Sequence, residues 1–189
     1  MEKNGFLRTI RRVPPGSQVE LIQLWHGDRP VAEVTVPHGR ERDFAAIADA
    51  LRQLQTAGFH FLPLAKADAT VSRCFVSHEK DLVQKALEAA RRGDHRQFGE
   101  MMGFPASAID AFVHKEAMLS EEDISASIGF RNWHFHLRFA KAHPEDMHAY
   151  LARGYAHLLD DAPDLMLDML PKEEDPRAYL ASVRQFVGA

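Results

Sequence analysis

The first 76 residues alternate short apolar runs with turn-forming residues, a pattern that predicts a small β-sheet. Residues 19–25 are rich in β-branched and large apolar side chains, and in residues 31–36 apolar and polar positions alternate. The turn-forming segment at 26–30 lies between them, so the two runs are predicted to form a β-hairpin with one buried face. Residues 59–64 and 70–76 are predicted as the third and fourth strands, and Pro63 favours an edge position for the third.

Helical spacing follows the predicted hairpin and returns after residue 77. One helix is predicted over the sheet, and it ends near Gly58. Further helices are predicted before Gly93, after Asp94 and Ser107, from Pro144, and from Pro176 to the end of the chain. The apolar stripe after Pro144 is the clearest, and its members are Met147, Tyr150, Leu151, Gly154, Tyr155, Leu158 and Leu159.

These elements predict an α+β fold, with a small antiparallel sheet and one covering helix followed by an irregular helical bundle. Residues 1–17 are basic and end in Pro14-Pro15-Gly16, which predicts an N-terminal arm without regular structure. Residues 18–189 are predicted to form a single domain, β-rich over 18–76 and helical over 77–189. A chain of 189 residues is long enough for one substantial core.

Composition limits the classes of partner and the compartment. A net charge of −4 favours neither nucleic acid nor an anionic membrane as a partner, and no apolar run approaches the length of a membrane span. The start of the sequence has no apolar region typical of a signal peptide. Cys74 is the only cysteine, which excludes an intramolecular disulfide and favours the cytoplasm. We expect a buried, unreactive thiol there; the alternative is a nucleophile activated by Arg73.

Residues 133–139 alternate aromatic or aliphatic with polar residues, so a strand would place His134, His136 and Arg138 on one face. Two imidazoles on one face can share a metal ion, with further ligands from His143, Glu145 and His148. The bound ion would be zinc or iron. If the segment is a helix instead, the two imidazoles diverge and the pairing fails.

Two other interpretations of this segment are open. The histidines can simply flank a hydrophobic core, with Glu145 and His148 in solvent on the first turn of a helix. Arg138 can instead offer its guanidinium to a carboxylate or phosphate ligand, or cover apolar surface with its stem. The sequence does not decide between strand and helix here.

A local motif runs from Gly93-Asp94-His95 through Gly99 to Gly103-Phe104-Pro105 and Phe112. It resembles a bacterial and archaeal family of unknown function whose members read Gly-Asp-His, then Gly, then Leu-Gly-Tyr-Pro-x-Cys-Cys, then Ala-Phe. The resemblance covers residues 78–112, and Ser107 and Ala108 stand where that family has its cysteine pair.

The resemblance implies a helix, a tight turn and a second helix, without any role that the missing cysteines have. His95 and the amides after Pro105 would then line an anion-binding pocket. Alternatively, the turn is only a corner between helices, with Phe104 buried.

The residues do not complete a catalytic constellation. The sequence therefore favours a non-catalytic or accessory protein that binds a small molecule, a peptide or a protein partner. The alternative function is a metal-dependent enzyme with a histidine-rich site at residues 134–148.

Overall fold

The computed structural model describes residues 1–37, 41–64, 71–135 and 139–188. Within them the chain has ten helices and one three-stranded antiparallel sheet, which confirms the α+β fold. The chain divides into two compact units, unit 1 (Met1–Gly103) and unit 2 (Phe104–Ala189). The division falls at Gly103 rather than near residue 77, where the helical pattern begins, and a single domain over 18–189 stays a prediction.

Unit 1 contains the sheet, whose strands lie in the order β1-β3-β2 with antiparallel pairing throughout. Cys74 on the central strand lies opposite Val34 on one side and Pro63 on the other. Pro63 therefore stands on an edge strand, as predicted. The elements in chain order are α1 (Lys3–Ile10), α2 (Pro15–Trp25), β1 (Ala32–Pro37), α3 (Glu41–Thr56), β2 (His60–Leu64), β3 (Val71–Ser77), α4 (Lys80–Arg92) and α5 (His95–Met101).

The N-terminal segment differs from its prediction. Residues 3–10 form a helix whose Phe6 and Ile10 are buried, and Pro15 is the first residue of α2 instead of a breaker. Residues 19–25, predicted as the first strand of a hairpin, belong to α2. The partner of β1 is β3.

Helix α2 covers the β1 edge of the sheet. The outward-facing amides of Glu33 and Thr35 on β1 donate hydrogen bonds to Glu20 Oε2 at 2.7 Å and to Ser17 Oγ at 3.0 Å. An uncovered edge strand would present these donors to other chains. Side chains of α2 thus take the place of a fourth strand.

A buried charge cluster joins α2 to the end of α5. Arg29 is almost fully buried, forms an ion pair with Glu20, and donates from Nε and Nη2 to the Met102 carbonyl at 3.0 and 2.9 Å. Burial raises the pKa of Glu20 above its usual value, although the charge of Arg29 opposes the rise. On the sheet, a hydrogen bond with Glu33 raises the pKa of Arg73.

We expect Cys74 to react slowly in the native protein. The thiol is buried in β3, and burial raises its pKa to about 12, which leaves very little thiolate at neutral pH. Labelling with a chromogenic disulfide reagent should be at least about a hundredfold slower than in the denatured chain. Because Cys74 is the only thiol, the same protein in denaturant is the control. Labelling of the native protein at the denatured rate would contradict a buried thiol.

In the described residues of unit 2 the regular elements are helices, apart from an isolated antiparallel bridge between Met118 and Ala140. Buried Met147, Leu151, Tyr155 and Leu158 confirm the apolar stripe that the sequence shows after Pro144. The helices are α6 (Ala106–His114), α7 (Glu121–Ile128), α8 (Pro144–Asp161), α9 (Pro163–Asp168) and α10 (Pro176–Gly188). None of the helices in the described residues combines the length and apolar character needed to cross a membrane.

Candidate functional site

Unit 2 contains a cavity of about 470 Å³ between two short walls. The first wall consists of residues 118–125 except Asp123 and extends into α7 as far as Ser125. The second wall consists of Arg131, Asn132 and Phe135, which lie between α7 and α8. We refer to this space as the α7 cavity.

Local hydrogen bonds hold the first wall. Ser120 Oγ accepts from the Asp123 amide at 3.0 Å, and Asp123 Oδ2 accepts from the Ser120 amide at 3.2 Å, so the two residues form a capping box that starts α7. These bonds lower the pKa of Asp123. Just before them, the Leu119 amide donates to the Phe139 carbonyl at 2.9 Å. These hydrogen bonds therefore fix the residues that lead into α7.

The second wall is held by Asn132. Its side-chain amide donates to the Phe135 carbonyl, and its Oδ1 accepts from the Phe135 amide at 3.1 Å. The Tyr155 hydroxyl donates to the same Oδ1 at 2.8 Å. The Phe135 ring lies directly against the backbone of Gly154 on α8. The hydrogen bonds of Asn132 thus hold the turn at residues 132–135, and Gly154 and Tyr155 of α8 pack against this turn.

A buried polar chain continues behind Asn132. The Tyr155 and Tyr179 hydroxyls are 3.3 Å apart, and Tyr179 is 3.1 Å from Nδ1 of His134. On the other side of the ring, His134 Nε2 is 3.1 Å from the Met166 carbonyl. A carbonyl only accepts, so Nε2 must carry the hydrogen of this bond. Burial raises the pKa of both tyrosines, which keeps them as neutral donors.

Arg131 lines the α7 cavity and stacks on an aromatic ring. Its guanidinium carbon lies 4.2 Å from the ring centre of Trp133. A guanidinium stacked in this way keeps its outer N–H groups available for a ligand. Arg131 is the positively charged residue of the described lining, and Glu121 and Glu122 are the negatively charged ones.

The residues proposed as metal ligands separate into different surroundings. His134 is a core histidine with both ring nitrogens hydrogen-bonded, and residues 131–135 form neither strand nor helix. His143 Nδ1 lies 3.1 Å from Glu145 Oε1 at an exposed site. The pKa of Glu145 is lowered mainly by a hydrogen bond from the backbone amide of Glu145 itself, and to a smaller extent by the hydrogen bond from His143. His148 Nε2 contacts Ser127 Oγ at 2.7 Å.

His136, the remaining predicted metal ligand, and Arg138, the predicted anion-binding residue, lie outside the described residues. Within the described ranges, which omit 136–138, no three His, Cys, Asp or Glu residues are placed to hold a metal ion. Zinc or iron binding at His134, His136, His143, Glu145 and His148 therefore stays a prediction, and the hydrogen bonds of His134 do not favour it.

The turn predicted from the family resemblance is present. Asp94 caps α5 by accepting from the Gln97 amide at 3.0 Å, and Gly103 has a positive φ. His95 is exposed as the first residue of α5 and does not line the α7 cavity. Ser107 does not cap α6, because the helix already begins at Ala106, and its hydroxyl bonds to Asp146 of α8. Phe104 is only partly buried, and the anion pocket stays a prediction.

The residues that build the α7 cavity were not predicted from the sequence. Ser120 and Asp123 have the spacing of a capping box, so the start of α7 was detectable. Asn132 gave no such signal, since its partner Tyr155 lies on another element.

Comparison with known proteins adds no assignment, because no protein-family model, curated protein or solved structure matches this chain.

Proposed function

We propose that this protein binds a small polar molecule in the α7 cavity of unit 2. The observation that carries the proposal is the cavity itself, whose volume of about 470 Å³ is that of a small-molecule site. Hydroxyl groups of Ser120 and Ser125 and charged groups of both signs stand beside apolar Ile124 and Phe135. In such a lining the polar and charged groups can orient a ligand, and the apolar side chains can pack against it.

Binding fits this lining better than catalysis does. The described lining contains no histidine or cysteine, the residues that most often serve as general base or activated nucleophile. Ser120 Oγ, one of its hydroxyls, already accepts the Asp123 amide. Both walls are also held by hydrogen bonds within the chain, at Asn132 and at the capping box of α7. We place this binding protein in the cytoplasm, since its only thiol is buried and unpaired.

Filling the α7 cavity should abolish ligand binding without unfolding the protein. Ser125 lines the cavity on α7, whereas its neighbour Ala126 is exposed and does not. We expect polar metabolites that raise the melting temperature of the wild type to leave Ser125→Phe unchanged. A ligand at a hundred times its Kd stabilises the native state by about 2.7 kcal/mol, which a thermal scan resolves.

Ala126→Phe is the matched control, because it adds the same side chain to the same helix outside the cavity. It should respond to ligand as the wild type does. The proposal fails if Ser125→Phe responds as strongly as Ala126→Phe, or if no polar compound of a broad library stabilises the wild type.

A further inference from the structure

The α7 cavity is lined by opposite charges that do not pair with each other. Glu121 and Glu122 lie on the first wall and Arg131 on the second. Within the described residues, neither carboxylate comes within 4.0 Å of the Arg131 guanidinium, and none of the three has another ion-pair partner. Asp123, the third acid of this turn, is already bonded to the Ser120 amide.

Each charge is held where it is by its own local structure. The two glutamates occupy the first turn of α7, where the positive end of the helix dipole stabilises a carboxylate. Arg131 rests on the Trp133 ring, which fixes the plane of its fork. Both sets of charges are therefore held on their own walls, which line the same cavity.

The signs of these charges limit the ligand. The two carboxylates and one guanidinium give the described lining a net charge of −1, which disfavours a simple anion. A simple cation would pair with the glutamates and leave Arg131 without a partner. A molecule with an ammonium group and a carboxylate satisfies both walls, because Arg131 can hold the carboxylate through two parallel N–H bonds.

We propose that the ligand of the α7 cavity is a zwitterion of the amino-acid or short-peptide class. Its carboxylate binds Arg131, and its ammonium group binds Glu121 and Glu122. This inference rests on the proposed function, since it names the ligand class for the same cavity.

The test uses the 189-residue chain and compares zwitterions with singly charged analogues. Calorimetric titration compares four zwitterions with pentanoate and pentylamine, the singly charged analogues of 5-aminopentanoate. The zwitterions are glycine, 5-aminopentanoate, diglycine, which has about the same span as 5-aminopentanoate, and the longer triglycine. We expect at least one zwitterion to bind about tenfold or more tightly than either singly charged analogue, because it forms both ion pairs. Raising the salt concentration should reduce this preference, since the groups are exposed.

Variants assign the two ends of the ligand. Arg131→Gln should lower the affinity for the preferred zwitterion to that for pentylamine, and Glu121→Gln with Glu122→Gln should lower it to that for pentanoate. Arg177→Gln is the matched control, because Arg177 is an exposed arginine of the same unit that does not line the cavity. It should leave every affinity unchanged.

Two results overturn the inference. The first is pentanoate or pentylamine binding as tightly as every zwitterion of the series. The second is Arg177→Gln weakening binding as much as Arg131→Gln. If Ser125→Phe still blocks other polar ligands in either case, the proposed function stands and only the ligand class is wrong. If no compound binds the wild type, both proposals fail.

Discussion

Gly103→Ala should destabilise unit 1 by about 3 kcal/mol or more, because the substitution adds a steric clash to backbone strain. Gly103 has φ +70°, a conformation that costs other residues about 1–2 kcal/mol. An added Cβ would also lie 2.7 Å from Arg29 Cβ and 2.8 Å from the Asp28 carbonyl oxygen. The Arg29 side chain is held by Glu20 and by the Met102 carbonyl, so this segment cannot retreat without breaking buried polar contacts.

Gly93→Ala separates the two causes. Gly93 has nearly the same φ, +68°, but an added Cβ would meet no atom within 4 Å. The Gly93→Ala variant should therefore lose only the free energy that the left-handed backbone conformation costs alanine, about 1–2 kcal/mol. Urea unfolding of the wild type and both variants measures the difference. Equal losses in the two variants would show that Asp28 and Arg29 do not constrain Gly103.

Strong local signals were sufficient to predict many elements of both units. The helices at Glu41–Thr56, Lys80–Arg92, Pro144–Asp161 and Pro176–Gly188 have clear apolar stripes and ordinary start or stop residues. Two strands, His60–Leu64 and Val71–Ser77, lie where β-branched and aromatic runs predicted them. In these segments the local preference and the final packing agree.

Helix α2 was mistaken for a strand because it is buried almost all round. Val19, Leu21, Ile22, Gln23 and Leu24 are all buried, so no polar face marks the helical period. Pro14-Pro15-Gly16 also suggested a loop, although a proline at the first helical position is favourable. The true partner of β1 lies on β3, beyond α3 and β2, and no local pattern encodes that pairing.

The segment around His134 shows a different limit. Its alternating pattern left strand and helix open, and residues 131–135 form neither, with the neighbours His134 and Phe135 both buried. What makes the burial of His134 possible is the pair of partners Met166 and Tyr179, on α9 and α10. A buried imidazole needs such partners, and they come from elements distant in sequence.

Gly154→Ala should both destabilise unit 2 and weaken ligand binding in the α7 cavity. The added Cβ would lie 2.7 Å from Cε1 of Phe135. The ring cannot move freely, because Tyr155 and Tyr150 pack against it at centroid distances of 5.0 and 6.1 Å and Asn132 holds its backbone. We expect a net loss of about 1–3 kcal/mol from overpacking, even though alanine favours a helix over glycine.

A double-mutant cycle identifies Phe135 as the cause. Phe135→Leu removes the ring atoms that the new methyl group would meet, so the double variant should lose less stability than the sum of the two single variants. Urea unfolding of the four proteins gives this coupling, and titration with the preferred ligand gives the corresponding change at the cavity. Because Phe135 lines the cavity, Gly154→Ala should weaken binding by moving the second wall, although Gly154 itself does not line it. Additive losses of stability, or unchanged ligand affinity in Gly154→Ala, would show that α8 does not position this wall.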